Sequence, residues 1–316
     1  MTILILGGKG NLGSSLSQQL ASDHQVVSLD KEELDVLDKE ALLAAFSEIK
    51  PGVLINAVAY NAVDLCEDKA NYPLALSLNA ELPGRLADLC LESGCRLIHY
   101  STDYVFSGTL EKPSFSEGDT PNPVNKYGES KFLGETEILK RAKYGLSYCL
   151  IRTSKLFGPR GLSDLAKPSF FDIMLDLAQN KEEINVVSDE VSCFTYTPDL
   201  AQATERLIVS AAHAGTYHLA NEGPATWYDG ASELFRLARV KTSLRPVRGE
   251  NLLRPARRPK FSVLANTKLK RLRHWREAVP KDRLAHLVRD CGRAFRRALE
   301  LRLAAHDVQL GHWTFL

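Results

Sequence analysis

The sequence predicts an α/β protein, a doubly wound parallel sheet carrying a smaller, mostly helical lobe. Three observations carry that prediction. Short apolar runs without polar alternation recur through the first half, as strands buried on both faces require. Helical apolar spacing separates them, which is the βαβ rhythm. Polar and glycine-rich segments follow the carboxyl ends of the runs, where open parallel sheets bind ligands.

Thr2–Leu6 is the first buried strand. Gly7, Gly10 and Gly13 follow in G-x-x-G-x-x-G spacing, and Leu12, Leu16 and Leu20 then repeat with helical period. Strand, glycine turn and helix are the setting a dinucleotide-binding turn needs. Gly7 permits the tight turn, Gly10 lets backbone approach a pyrophosphate, and Gly13 lets helix pack on strand. The helix N-terminus offers free N–H groups to the anion. Val26–Leu29 is the second strand and ends at Asp30, an acidic residue placed for the adenine ribose hydroxyls, which favours NAD. Lys9 and Lys31 lie close enough in sequence to offset a 2′-phosphate, so NADPH and NADH both stay open.

Leu34-Asp35-Val36 is placed to flank the adenine. Residues 38–49 read as helix, Pro51-Gly52 ends it, and Val53–Asn56 is the next strand. Val58, Ala59 and Tyr60 follow its carboxyl end. One long helix is expected over 73–93, then a strand at Leu97–Tyr100 running into Ser101-Thr102-Asp103-Tyr104. A turn-rich loop leads to a helix from Tyr127 to about Lys140, and Tyr148–Ile151 is a further strand. The second lobe begins near Pro159. It is expected to hold a helix at 170–179 and a strand at 184–187. A helix at 198–211 and a strand at 216–220 return to the sheet. The division is therefore 1–158 with 197–221 for the dinucleotide domain, 159–196 with 222–303 for the second lobe, and 304–316 as a tail.

Tyr127 and Lys131 form Tyr-x-x-x-Lys, which puts phenol and ammonium on one helical face. The ammonium is expected to lower the phenol pKa toward working pH, suiting Tyr127 to proton transfer at a carbonyl oxygen. The bland alternative is a solvated surface pair, and only the surrounding motifs argue against it.

The formal net charge of +1 predicts no general affinity for nucleic acid or membrane. From Arg236 to Arg302 roughly twenty Lys/Arg face about five Asp/Glu. This is either a basic lobe on an acidic one or a phosphate-binding surface. The six cysteines lack C-x-x-C spacing and read as buried, reduced thiols of a cytoplasmic protein. The histidines lack metal spacing, and His99 reads as a core histidine. Asp64 and Glu67 read as a solvated acidic face.

These motifs resemble the extended short-chain dehydrogenase/reductases with their Rossmann sheet, and within them the dTDP-4-dehydrorhamnose reductase branch. The resemblance rests on the glycine turn, Asn56-Ala-Val-Ala-Tyr60, Ser101-Thr-Asp-Tyr-Val-Phe106, Tyr127-Gly-Glu-Ser-Lys131, Arg152-Thr-Ser154, Gly215-Thr-Tyr-His-Leu219 and Arg257-Arg-Pro259, in family order over nearly the whole chain. It implies that Tyr127 is general acid to a sugar C4 oxygen, that Lys131 tunes it and holds the nicotinamide ribose, and that Thr102 bonds the same carbonyl. Gly10, Asn11 and Leu12 would cradle the pyrophosphate. Asp30, Asp35 and Val36 would surround the adenosine, and Val58, Ala59, Tyr60 and Tyr100 would line the cofactor channel. Asp103, Tyr104, Ser154 and Lys155 would meet the sugar, and Arg257 the diphosphate.

The resemblance further implies reduction of a nucleotide-linked 4-keto deoxysugar by NADPH or NADH, foremost dTDP-4-dehydro-β-L-rhamnose, in a monomer or homodimer. Lys155 stands where the family carries Trp, Phe194-Thr195 where it carries Pro-Thr, and Phe261 where it carries Asn. Those departures leave two alternatives open: a reductase or epimerase acting on another nucleotide sugar, or a non-enzymatic NAD(P)-binding regulatory subunit. Ser15 replaces the glutamate with which some members bind a dimer-bridging magnesium, so no metal is expected.

Overall fold

A computed structural model describes residues 1–108, 113–163 and 166–269. Six parallel strands form the central sheet in the order β10-β5-β4-β3-β1-β2. They are β1 (Thr2–Leu6), β2 (Gln25–Leu29), β3 (Val53–Asn56), β4 (Arg96–Thr102), β5 (Tyr148–Thr153) and β10 (Gly215–His218). Strand alternation divides the core. Ile3, Ile5, Ile55, Ile98 and Ile151 face α1 (Asn11–Leu20) and α7 (Thr197–Val209). Leu4, Leu6, Leu54, Leu97 and Leu150 face α2 (Lys39–Ile49), α4 (Leu82–Ser93) and α5 (Lys126–Ala142). Both faces are covered, which is why these strands read as continuous apolar runs.

β1 pairs with β2 on one side and β3 on the other, so the strand order reverses there. The glycine turn after β1 and Val58 after β3 meet at that crevice. A Cβ on Gly7 would lie 3.1 Å from the Val58 nitrogen, and Gly7 has a φ of 77°. Glycine alone accepts both conditions.

The helix expected over 73–93 is interrupted. α3 (Tyr72–Leu76) passes through a π-helical turn at Ser77–Glu81 before α4 begins. Pro83 has no N–H to give the Asn79 carbonyl, so the regular ladder fails at that point.

The second lobe holds α6 (Phe170–Ala178) and α8 (Trp227–Ala238) around an aromatic cluster with Phe157, Phe171 and Phe194. Beyond the expected helices and the strand β7 (Glu183–Val187), it contains short ladders. β6 (Leu156–Phe157) pairs with β9 (Thr195–Tyr196), β8 (Val191–Cys193) with β11 (Pro224–Thr226), and β7 with β12 (Ser243–Val247). The strands of two or three residues, β6, β9, β8 and β11, have too few residues to display a period. The apolar stripe from Leu284 to Leu299, Cys291 and the tail at 304–316 lie outside the described residues. Among the described residues no helix is long and apolar enough to cross a membrane.

Candidate active site

The glycine turn is built for close approach. A Cβ on Gly13 would lie 2.1 Å from the Gly7 carbonyl oxygen and 2.7 Å from the Gly8 Cα. α1 starts at Asn11 with Gly10 as N-cap and no acidic residue in its first turn. Its free amides and positive dipole end therefore suit a pyrophosphate, and the residues present fit a dinucleotide. Leu12 is buried in the core, leaving its backbone for such a contact. The Asn11 side chain is otherwise engaged. Its Oδ1 accepts from Gly161 N at 2.7 Å and its Nδ2 donates to the Lys167 carbonyl at 3.0 Å, strapping the second lobe over the turn.

Asp30 sits beside this turn, accepting from Lys9 N at 2.9 Å and Lys31 N at 2.8 Å. Asp35 accepts from Leu37 N and is exposed, and Val36 packs partly on the core beneath α2. Across the crevice Val58 N donates to Asn56 Oδ1 at 3.1 Å. Ala59 and Tyr60 are half-buried. Tyr60 is held by a residue the sequence reading missed. Asn79, fully buried in the π turn, accepts from Tyr60 N at 2.9 Å and donates to Tyr60 O and Ser130 Oγ, each at 3.0 Å. A polar residue in the interior of an apolar helical stripe was the available signal.

α5 delivers Tyr127 and Lys131. Asn125 caps it, accepting from Gly128 N at 2.7 Å, and Glu67 accepts from Lys126 N at 2.9 Å. A Cβ on Gly128 would lie 2.2 Å from the Tyr104 carbonyl, and one on Gly134 2.1 Å from the Asn79 carbonyl. These two glycines let the helix press against the end of β4 and the π turn. The Tyr127 ring consequently meets Tyr104 edge-on at 5.8 Å, with its hydroxyl set toward Thr102.

Lys131, 2% exposed, donates to the Tyr100 carbonyl at 2.7 Å. Burial lowers its pKa to about 8, while Glu135 one turn on holds it up. Glu135 is itself buried, accepting from Ser101 at 2.6 Å and from Arg152 through Nε at 2.9 Å and Nη2 at 2.7 Å.

Two expectations about this pocket are corrected. The Tyr127 hydroxyl is not lowered in pKa. Desolvation pushes it up, the nearby Thr102 hydroxyl opposes that, and the Lys131 amine is turned to a carbonyl instead. Tyr100 does not send its ring into the channel. It shares the core-facing parity of Ile98, and its hydroxyl meets Thr204 at 2.6 Å. It serves the site through its carbonyl.

On the sugar side, Asp103 is buried and accepts from Ser262 at 2.5 Å and Thr102 at 3.2 Å. Burial raises its pKa to about 6. Ser154 donates to the Cys193 carbonyl at 2.7 Å. Lys155 has a φ of 39° and donates to the carbonyls of Ala225 at 3.0 Å and Glu190 at 3.3 Å. Its ammonium lies 4.3 Å from the Trp227 ring centroid and 4.9 Å from that of Phe194. Both residues are thus tied to the second lobe itself. Asp64 is no solvated carboxylate, since it forms a bidentate pair with Arg258 and accepts from Ala256 N at 3.1 Å. Arg257 has an exposed side chain, and its carbonyl accepts from Asn125 at 2.7 Å. No group of three or more His, Cys, Asp or Glu suited to a metal occurs among the described residues.

A dinucleotide turn opening onto a Thr–Tyr–Lys pocket, on a doubly wound sheet, defines a short-chain dehydrogenase/reductase. The particular family follows from comparison. The family model for the RmlD substrate binding domain matches residues 1–288, and the chain belongs to that family. It is 35% identical over 307 residues to a dTDP-4-dehydrorhamnose reductase of Burkholderia thailandensis, covering 88% of this chain and 97% of that one. It is 38% identical over 291 residues to a probable dTDP-4,6-dihydroxy-2-methyloxan-3-one 4-ketoreductase of Streptomyces antibioticus, covering 88% and 93%. Its fold matches the crystal structure of a Bacillus anthracis dTDP-4-dehydrorhamnose reductase in complex with NADP at a TM-score of 0.83 and 29% identity, over 95% of this chain and 99% of that one.

Proposed function

We propose that this chain is an NAD(P)H-dependent reductase of the 4-keto group of a dTDP-linked deoxysugar, foremost dTDP-4-dehydro-β-L-rhamnose going to dTDP-L-rhamnose. The observation that carries this reading is the cluster at the end of β4: a half-buried Tyr127 phenol packed edge-on against Tyr104 and set toward the buried Thr102, one helical turn from the buried Lys131 ammonium. The reduced nicotinamide, when bound, supplies a hydride to the sugar C4. Thr102 and Tyr127 hold the carbonyl oxygen, and Tyr127 gives it a proton. The raised phenol pKa keeps that proton in place at neutral pH, as an acid requires. Lys131 stabilises the phenolate left behind, and its one protein hydrogen bond among the described residues leaves donors for the nicotinamide ribose. Because Lys131 titrates near 8, turnover falls as pH rises through that value. Asp103 and Tyr104 line the sugar side. The reading includes a cytoplasmic enzyme, monomer or homodimer, that prepares sugar donors for cell-surface polysaccharide.

A different dTDP-sugar is the second reading. The similarity to the Streptomyces antibioticus ketoreductase and the lobe-bound Lys155 favour it. Presenting dTDP- and UDP-linked 4-keto sugars and following cofactor absorbance separates the two. Tyr127→Phe tests the pocket: turnover should drop about 10²–10⁴-fold, with cofactor affinity nearly unchanged. Retained turnover, or cofactor binding without oxidation on any keto sugar, refutes the reductase.

A further inference from the structure

The cation nearest the expected ribose subsite is already taken. Lys9 lies in the glycine turn, and its backbone N–H fixes Asp30. Its ammonium is held by Glu32 at 2.5 Å and by Glu33. Glu33 is anchored in turn, because its other carboxylate oxygen accepts from Asp30 N at 3.0 Å and its backbone N–H donates to the Asp30 carbonyl at 3.0 Å. The tight turn after β2 therefore presents both carboxylates to Lys9. Lys31 is the second nearby cation and is exposed. Arg85 is directed to the Leu37 carbonyl and lies 4.0 Å from Glu81. Two positive charges (Lys9, Lys31) against three negative (Asp30, Glu32, Glu33) leave this corner at −1.

We infer that Glu32 and Glu33 select NADH over NADPH, by holding Lys9 away from a 2′-phosphate. A phosphomonoester brings a charge of about −1.5 to −2. Seating one beside Asp30 means withdrawing Lys9 from two carboxylates that stay behind, close to the new anion. A 2′-hydroxyl asks for none of this, and Asp30 retains lone pairs to accept from it. Lys9 taken alone would mark an NADPH site, and the pairing reverses that meaning. The preference is opposite to the cofactor bound in the Bacillus anthracis structure.

The inference rests on the glycine turn binding a dinucleotide, so its test needs no sugar. NADH and NADPH are titrated separately into the apoprotein, and binding is followed by nicotinamide fluorescence and calorimetry. Wild type should bind NADH at least about tenfold more tightly, a gap of about 1.4 kcal/mol. Salt should narrow the gap, because these ion pairs are exposed. The Glu32→Gln/Glu33→Gln double variant should gain about tenfold in NADPH affinity with NADH affinity nearly unchanged, and adding Lys9→Ala should remove the gain. Equal or tighter NADPH binding by wild type overturns the inference, as does a double variant with an unchanged ratio. Binding of neither cofactor overturns it together with the dinucleotide reading.

Discussion

Lys131 is buried and Lys155 half-buried, yet both titrate near 8 with desolvation as the chief cause. Their surroundings differ. Lys131 donates to a single carbonyl, that of Tyr100 near the end of β4, one helical turn from Tyr127. Lys155 donates to two carbonyls of the second lobe and is faced by Trp227 and Phe194. Desolvation alone thus does not mark a reactive amine. Hydrogen-bonding capacity left over, aimed where a ligand belongs, distinguishes the first lysine from the second.

Substitution can break or sharpen this contrast. The largest effect is expected for Lys131→Met. It should lower turnover by about 10²–10⁴-fold, whereas Lys155→Met should change it only a few-fold in the same assay. Equal losses would erase the distinction.

Next in size is the buried pair beneath Lys131. Arg152→Met strands Glu135 without its bidentate partner and should cost about 3–5 kcal/mol in urea unfolding. Adding Glu135→Gln should restore part of that stability, because the carboxylate that lost Arg152 is then replaced by a neutral amide.

The smallest effect belongs to Lys155 and appears as a slope. Its folded pKa of about 8 lies below the value of an unfolded lysine. The unfolded chain therefore binds more protons between those values, and stability rises with pH across that window. Relative to Lys155→Met, wild type should gain about 2 kcal/mol between pH 8 and pH 10. A pH-independent difference between the two would show that the amine is not desolvated.

The features legible in the sequence depend on neighbours along the chain. The strand-glycine-helix unit at 2–20 and Tyr127 four residues before Lys131 need only local spacing. The side-chain direction of Tyr100 was also legible from its parity with Ile98, had the alternation been pressed. The Asp64–Arg258 pair and the engagement of Lys155 with Ala225 join residues far apart in sequence, so no local pattern announces them. β9 and β6 have two residues each, too short for any period. The second lobe is mostly built this way, which is why the sheet and its glycine turn were easier to read than that lobe.

The 256–264 segment has a consequence for how the protein is made. Arg258 on Asp64, the Arg257 carbonyl on Asn125 and Ser262 on Asp103 fasten α5 and its acidic neighbours from the far end of the described chain. A growing polypeptide has Tyr127, Lys131 and the whole parallel sheet in hand some forty residues before these clasps emerge from the ribosome. During synthesis Tyr127 and Lys131 therefore precede the residues that brace α5, so those contacts form only once the 256–264 segment has been made.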